Sequence, residues 1–247
     1  MPHEKRPVLL CHDGSPDARN AIERATSLLR EHDVVLMTTP PTHRAILKRA
    51  REHHVALVVV ALRATGAVPP SPLTPISAAL VARADIPVLI VHAQEGPEGG
   101  PIMLCFDGSA QARAAIGRAA DLLIECDVIV ASFLEPVDDV PLLQKTLPWP
   151  PPAETERRLA RLDRDEAEFL ARRAAEGAAF ASSCGLAARP LAVEGPGAAA
   201  DRLLEAAAGA EAACIVVGHR TTRTTPREST ALALAHHADR PLLVVPA

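Results

Sequence analysis

Pro7 to Thr39 reads PVLLCHDGSPDARNAIERATSLLREHDVVLMTT, and Pro101 to Phe133 reads PIMLCFDGSAQARAAIGRAADLLIECDVIVASF. The two stretches align without a gap at an offset of 94, and about half of their positions are identical. The shared residues include Cys11 and Cys105, Asp13-Gly14-Ser15 and Asp107-Gly108-Ser109, Arg19 and Arg113, and Arg24 and Arg118. A second echo closes each half: ADIPVLIVHA from Ala84 and ADRPLLVVPA from Ala238. An internal repeat means that one structural plan is used twice. The ligand site of each copy must therefore be judged separately.

Each copy opens on a short apolar run, Val8–Cys11 or Ile102–Cys105. A run without alternation suits a central parallel strand covered on both faces. Asp-Gly-Ser then makes a sharp turn whose Ser is placed to cap a helix. Ala18, Ile22, Ala25 and Leu29 mark the inner face of that helix, and Ala112, Ile116, Ala119 and Leu123 mark its twin. A second strand follows at Val34–Thr38 and at Val128–Ser132. Strand, helix and strand in this order form a right-handed βαβ unit.

The copies then diverge. In the first, a helix over Thr42–His53 leads to a strand at Ala56–Val60. In the second, the matching strand is Ala213–Val217, so the offset grows from 94 to 157 and 63 further residues intervene. They read as a Pro-rich loop from Glu135 to Pro152, a charged helix over Ala153–Ser183, a strand at Ala187–Val193 and a helix over Ala198–Ala208. Leu159, Leu162, Phe169 and Phe180 are expected on one stripe of the charged helix, which covers a face of the second sheet. Both copies finish with a helix, Ile76–Arg83 or Ser229–His237, and a last strand, Val88–Val91 or Leu242–Val245. The Gly/Pro-rich segment 95–100 reads as a linker between a truncated domain over 1–94 and a complete one over 101–247.

Composition narrows the function classes. The chain has 247 residues, a net charge of −4, no Tyr and one Trp. Without a basic run or aromatic platform, nucleic-acid binding has no support. No apolar run approaches the roughly 18 residues of a membrane helix, and no signal peptide fits the first residues. The five cysteines, without a CxxC pair, read as reduced residues of a cytoplasmic protein. The adjacent pairs His53-His54 and His236-His237 lie near helix ends, and neighbours on a helix diverge too far to share one metal. Cys11 and His12 alternate across a strand and form no nucleophile–base pair. No metal and no catalytic residue is expected.

The opening strand with Asp-Gly-Ser, the Arg/Ala-rich first helix, Ile215–Gly218 and the closing HADRPLLVVP together resemble the universal stress protein family. The resemblance implies two Rossmann-like (adenine nucleotide alpha hydrolase-like) α/β modules with parallel sheets of strand order 3-2-1-4-5, the first truncated. It also implies that the last strands pair as edge strands do in family dimers, making the chain its own pseudo-dimer. A rival within the wider superfamily, an adenylyl-transferring enzyme, would need His-x-Gly-His after the first strand, which is absent here.

ATP-binding members of the family carry Gly-x2-Gly-x9-Gly-[Ser/Thr] after the fourth strand. Small residues there admit backbone N–H groups to the phosphates, beside a helix N-terminus. In the second half Gly218 and Ser229 match, Thr221 replaces the second Gly, and Glu228 stands at the third. Arg220, Arg223 and Arg227 are cations that could meet phosphate. In the first half Ala61 and Thr74 replace the glycines, and Ala67–Pro72 carries three prolines that cannot donate N–H. The resemblance thus points to a nucleotide-binding candidate set of Asp107, Gly108, Gly218, His219, Arg220, Ser229 and Thr230. ATP or AMP would be its ligand, with no other cofactor implied. Asp107 either joins that pocket or caps its own turn. The function implied is a non-catalytic stress-response binding or regulatory module with one degenerate nucleotide site. The alternative is an ATP-binding, slowly hydrolysing protein acting through residues 101–247. Homo-oligomers are expected, because Val34–Thr38 is left as a sheet edge that a loop or another chain should cover.

Overall fold

The hydrophobic spacing places strand, helix and strand in each half, and the computed structural model has them there. It describes residues 6–12, 15–38, 42–62, 75–92, 99–134, 153–195, 197–219 and 229–246. The first half runs β1 (Val8–His12), α1 (Pro16–Leu28), β2 (Val34–Thr38), α2 (His43–Glu52), β3 (Leu57–Leu62), α3 (Pro75–Arg83) and β4 (Val88–His92). The second runs β5 (Ile102–Phe106), α4 (Ala110–Leu122), β6 (Asp127–Ser132), α5 (Ala153–Ser183), β7 (Ala187–Ala192), α6 (Ala199–Gly209), β8 (Cys214–His219), α7 (Thr230–His237) and β9 (Leu242–Pro246). The Pro-rich segment 135–152 and the segments 63–74, 93–98 and 220–228 lie outside the described residues.

Helix starts follow the side-chain chemistry. The hydroxyls of Ser15, Thr42, Ser109 and Ser229 accept from the backbone N–H of Ala18, Ala45, Ala112 and Leu232 at 3.1–3.2 Å. Each such cap contributes about 1 kcal/mol. After α2 and α6 the chain turns through His54 and Glu211, both at φ 49. These two residues are 157 positions apart, so the turn repeats although neither is glycine.

The nine strands of the described residues form one sheet in the order β2-β1-β3-β4-β9-β8-β5-β6-β7. From β7 to β9 this is the order 3-2-1-4-5, and the first half is the same sheet without its third strand. Neighbours are parallel except β4 and β9, which pair antiparallel with Leu89 opposite Leu243. The two last strands therefore close one another's edges. A second join lies on one face of the sheet, where Arg30 N–H donates to Leu122 O and Ile124 N–H to Leu28 O, each at 3.0 Å.

Strand alternation divides the core in two. Leu9, Cys11, Val58, Ile215 and Val217 face α2, α3, α6 and α7. Val8, Leu10, Leu104, Phe106 and Val216 face α1, α4 and α5. In α1 Ala18 and Ala25 are fully buried as expected, together with Ala21, while Ile22 is only half-buried, because the helix lies close enough that small side chains fit beneath it. The stripe expected on α5 is also corrected. Of the expected residues, Phe180 packs against the core but Leu162 is 56% exposed, and the side chain of Leu159 lies outside the described residues. The buried positions are Leu170, Ala174, Gly177, Ala178 and Ala181. A side chain at Gly177 would come within 2.6 Å of Phe106 and 2.7 Å of Val130. The sheet already supplies the bulk on this face, so the helix must supply small residues.

Each closing Ala-Asp segment is tied down from a different direction. The guanidinium of Arg240 is buried, donates to Ala207 O at 2.8 Å and Ala212 O at 3.0 Å, and clasps Asp239. In the first half Ile86 replaces this arginine, and Arg51 of α2 reaches Asp85 at 3.1 Å instead.

Nothing in the first half corresponds to α5 and β7, since only residues 39–42 separate β2 from α2. The consequence is local. Val34 is 50% and Leu36 61% exposed, whereas their repeat partners Val128 and Val130 are 1% and 0% exposed beneath α5. The expected cover on this edge is not found among the described residues.

Candidate functional site

In open α/β sheets ligands meet the carboxyl ends of the strands where the strand order reverses. Here that point lies between β5 and β8. Asp107 follows β5 at the surface, and its Oδ1 accepts the Ser109 N–H at 2.9 Å. Asp107 thus caps its own turn. Gly108 has φ +84, a left-handed conformation that L side chains rarely adopt. Arg173 of α5 lies above it, its Nε 3.6 Å from where a Cβ would stand. Ser109 then caps α4, aiming that helix's N-terminus at the crevice.

From β8 come Gly218 and His219. A Cβ on Gly218 would sit 2.7 Å from Gln111 O, 2.8 Å from Gln111 C and 3.1 Å from Ala112 N. The glycine is therefore required by the first turn of α4, whether or not a phosphate is near. Burial pushes the His219 imidazole below its ordinary value, which favours the neutral ring. Its Nδ1 lies 3.5 Å from Ser229 Oγ. That hydroxyl also accepts the Leu232 N–H, so Ser229 opens α7 as its cap, with Thr230 next in the helix.

The structure thus gathers Asp107, Gly108, Gly218, His219, Ser229 and Thr230 around one crevice, and Arg220 falls outside the described residues. Two helix N-termini from opposite faces of the sheet converge there. Their free N–H groups and dipoles favour an anion, while the Asp107 carboxylate opposes one. In the first half Ser15 caps α1 in the same way, but Ala61 stands in place of Gly218. Asp13, Gly14 and Thr74 lie outside the described residues.

A set of cations beside the crevice escaped the sequence reading. Arg113 pairs with Glu176 and lies between the rings of Phe106 and Phe180, 5.6 and 5.3 Å from their centroids. Arg173 stacks on Phe169 at 4.2 Å. The spacing of Phe169 and Arg173, one helical turn apart, was the available signal. Further along the carboxyl edge, buried Arg202 donates to Leu134 O and Val193 O, tying the ends of β6 and β7 together.

Other chemistry finds little geometry. Burial pushes the thiols of Cys11 and Cys214 up to about 12. It raises Cys105 further, with the charge of Asp107 adding to the effect. Among the described residues no group of three or more His, Cys, Asp or Glu side chains could hold a metal. No helix among them is long and apolar enough to cross a membrane.

The family model described as "Universal stress protein family" matches residues 100–246. No curated protein matches the chain. Among solved structures, the chain is similar to a universal stress protein from Archaeoglobus fulgidus DSM 4304, at 13% identity and a TM-score of 0.56, covering 98% of this chain and 99% of that one. It is also similar to a functionally unknown protein from Pseudomonas aeruginosa PAO1, at 17% identity and a TM-score of 0.51, covering 96% of this chain and 80% of that one. At these identities the likeness concerns the fold.

Proposed function

The chain belongs to the universal stress protein family, and from that premise we propose that it is a tandem member acting as a non-catalytic, cytoplasmic binding or regulatory module. In this reading residues 1–94 are a truncated module, 95–100 a linker and 101–247 the complete module. Only the second binds a nucleotide, at Asp107, Gly108, Gly218, His219, Arg220, Ser229 and Thr230. The observation that carries the reading is the crevice between β5 and β8, where Ser-capped N-termini of α4 and α7 meet in the half that the family model matches. Ala61 and the prolines after β3 make the first half unsuited to phosphates.

The same crevice argues for binding without turnover. The Ser229 hydroxyl is committed to capping α7, where it accepts the Leu232 N–H, and lies 3.5 Å from His219 Nδ1. Asp107 is likewise engaged with Ser109. Glu228, at the place of the pattern's third glycine, would repel a triphosphate, so AMP should bind better than ATP.

Mass spectrometry of small molecules released from the denatured purified protein tests this directly. Calorimetry with ATP and AMP on wild type and Thr230→Val, with a phosphate-release assay, completes the test. AMP-favouring binding weakened by Thr230→Val, without turnover, is expected. ATP that copurifies and is hydrolysed would replace this reading with that of an ATPase. Absence of any bound or binding nucleotide would leave a protein-interaction module.

A further inference from the structure

The two ends of the sheet are built differently. In β7, Arg189 and Pro190 stand in mid-strand. A charge and a residue without an N–H are means by which proteins stop an edge from pairing. The strand at the other end, β2, reads Val34-Val35-Leu36-Met37-Thr38 and carries neither guard. Its inner edge is bonded to β1, and no described strand takes its outer edge.

The filled counterpart of this edge lies in the same chain. At the repeat offset, Val34, Leu36 and Thr38 correspond to Val128, Val130 and Ser132 of β6. There β7 pairs along the whole outer edge, from Asp127 opposite Ala187 to Ser132 opposite Ala192. The apolar row on β2 is thus a strand face of buried type left in water.

We propose that β2 is a self-association edge, at which two copies of the chain pair antiparallel across a two-fold axis and extend the sheet. The register favours a second copy as occupant. Pairing centred on Leu36 sets Leu36 against Leu36 of the second copy, Val34 against Thr38, and Val35 against Met37. The exposed row then continues into the exposed row. The half-buried Val35 and Met37, which pack on the opposite core, continue into each other. A slip of one residue would mix the two rows, and a slip of two would shorten the ladder. The chain already uses the same device once, joining β4 to β9 as an antiparallel pair of like edges.

The contact is small. A five-residue strand and its apolar row bury about 300–400 Å² per copy, roughly half of what each partner in a stable complex contributes. The dimer should therefore form and dissociate with concentration.

Sedimentation velocity of the full chain from micromolar to submillimolar concentration reads this out, beside hydrogen exchange at both extremes. Wild type should rise from 26.0 kDa toward twice that mass, with the amides of residues 34–38 slowing in step. Leu36→Lys should stay at 26.0 kDa with those amides fast throughout. An unchanged urea midpoint would show that it folds, as expected for a residue 61% exposed. Three results would overturn the proposal. One is a wild type that stays monomeric. Another is a dimer that survives Leu36→Lys, which would move self-association elsewhere, such as to Leu162 of α5. The third is a dilute monomer whose β2 amides are already protected, which would mean that the chain covers its own edge.

Discussion

Gly218→Ala should destabilise the protein in the absence of any ligand. The added methyl would stand 2.7 Å from Gln111 O, 2.8 Å from Gln111 C and 3.1 Å from Ala112 N. All three are backbone atoms, so no rotamer change relieves the overlap. The first turn of α4 must shift, and overpacking of this kind costs about 1–3 kcal/mol. Gly218 carries no left-handed φ. Alanine therefore adds no backbone strain and recovers up to about 1 kcal/mol through the unfolded chain. Taking the middle of that cost, about 2 kcal/mol, the net loss is about 1–2 kcal/mol, or a fall in Tm of roughly 2–8 °C for a chain of this size. Urea and thermal unfolding without nucleotide measure it. Ala61→Gly is the control: the twin position already holds a Cβ, so its cost should be only the backbone entropy, about 0.5–1 kcal/mol. If Gly218→Ala unfolds like wild type while AMP binding collapses, the glycine serves a ligand, and the packing argument is refuted.

Arg240→Met should cost about 2–4 kcal/mol, since it removes buried charge-assisted bonds to Ala207 O and Ala212 O. Arg51→Met, which breaks a largely exposed pair, should cost less than about 1 kcal/mol. Equal shifts in urea midpoint would contradict the contrast drawn between the two halves. Ellman's reagent should find two of the five thiols in the native protein, the half-buried Cys126 and Cys184, and all five in urea. Burial raises the folded pKa of Cys11 and Cys214 from 9.0 to about 12. Above pH 9.0 the unfolded chain then binds fewer protons than the native one, so this stability is complete below that pH and declines as pH rises toward 12. A urea midpoint that holds steady from neutral pH through pH 11 would count against these thiols staying protonated in the fold.

Much of the fold was legible because the repeat spoke twice. Strand β2 and helix α5 have the bounds that hydrophobic runs, prolines and the Gly185 turn implied, Val34–Thr38 and Ala153–Ser183. The join of β4 and β9 followed from the resemblance to a family whose dimers pair these edge strands, and the pairing is antiparallel. The inner face of α5 did not follow, because periodicity ranks residues by hydrophobicity and not by the space that awaits them. Phe106 and Val130 fill that space from the sheet, so Gly177 and the alanines go inside while Leu162 faces water. The site was half legible for a related reason. A glycine after a strand can admit a phosphate or a neighbouring helix, and the residue alone does not say which. Arg173 of α5 reaches Gly108 from 65 positions further along the chain, a distance that local spacing cannot bridge.

The asymmetry between the halves has a physical logic. The first half keeps the elements that touch the second: β4 seals the edge of β9, α3 packs beside α7, and the end of α1 meets the end of α4 at Leu29 and Leu123. What it lacks, the counterpart of α5 and β7, belongs at the far end of the sheet. Within one chain the two last strands are held at high effective concentration, so the join does not depend on dilution as a dimer of separate modules would. The first half can therefore lack phosphate-binding residues and still complete the sheet on which the crevice of the second is built. Its missing unit leaves Val34 and Leu36 in water, and β2 becomes the one described edge whose own sequence does nothing to prevent pairing.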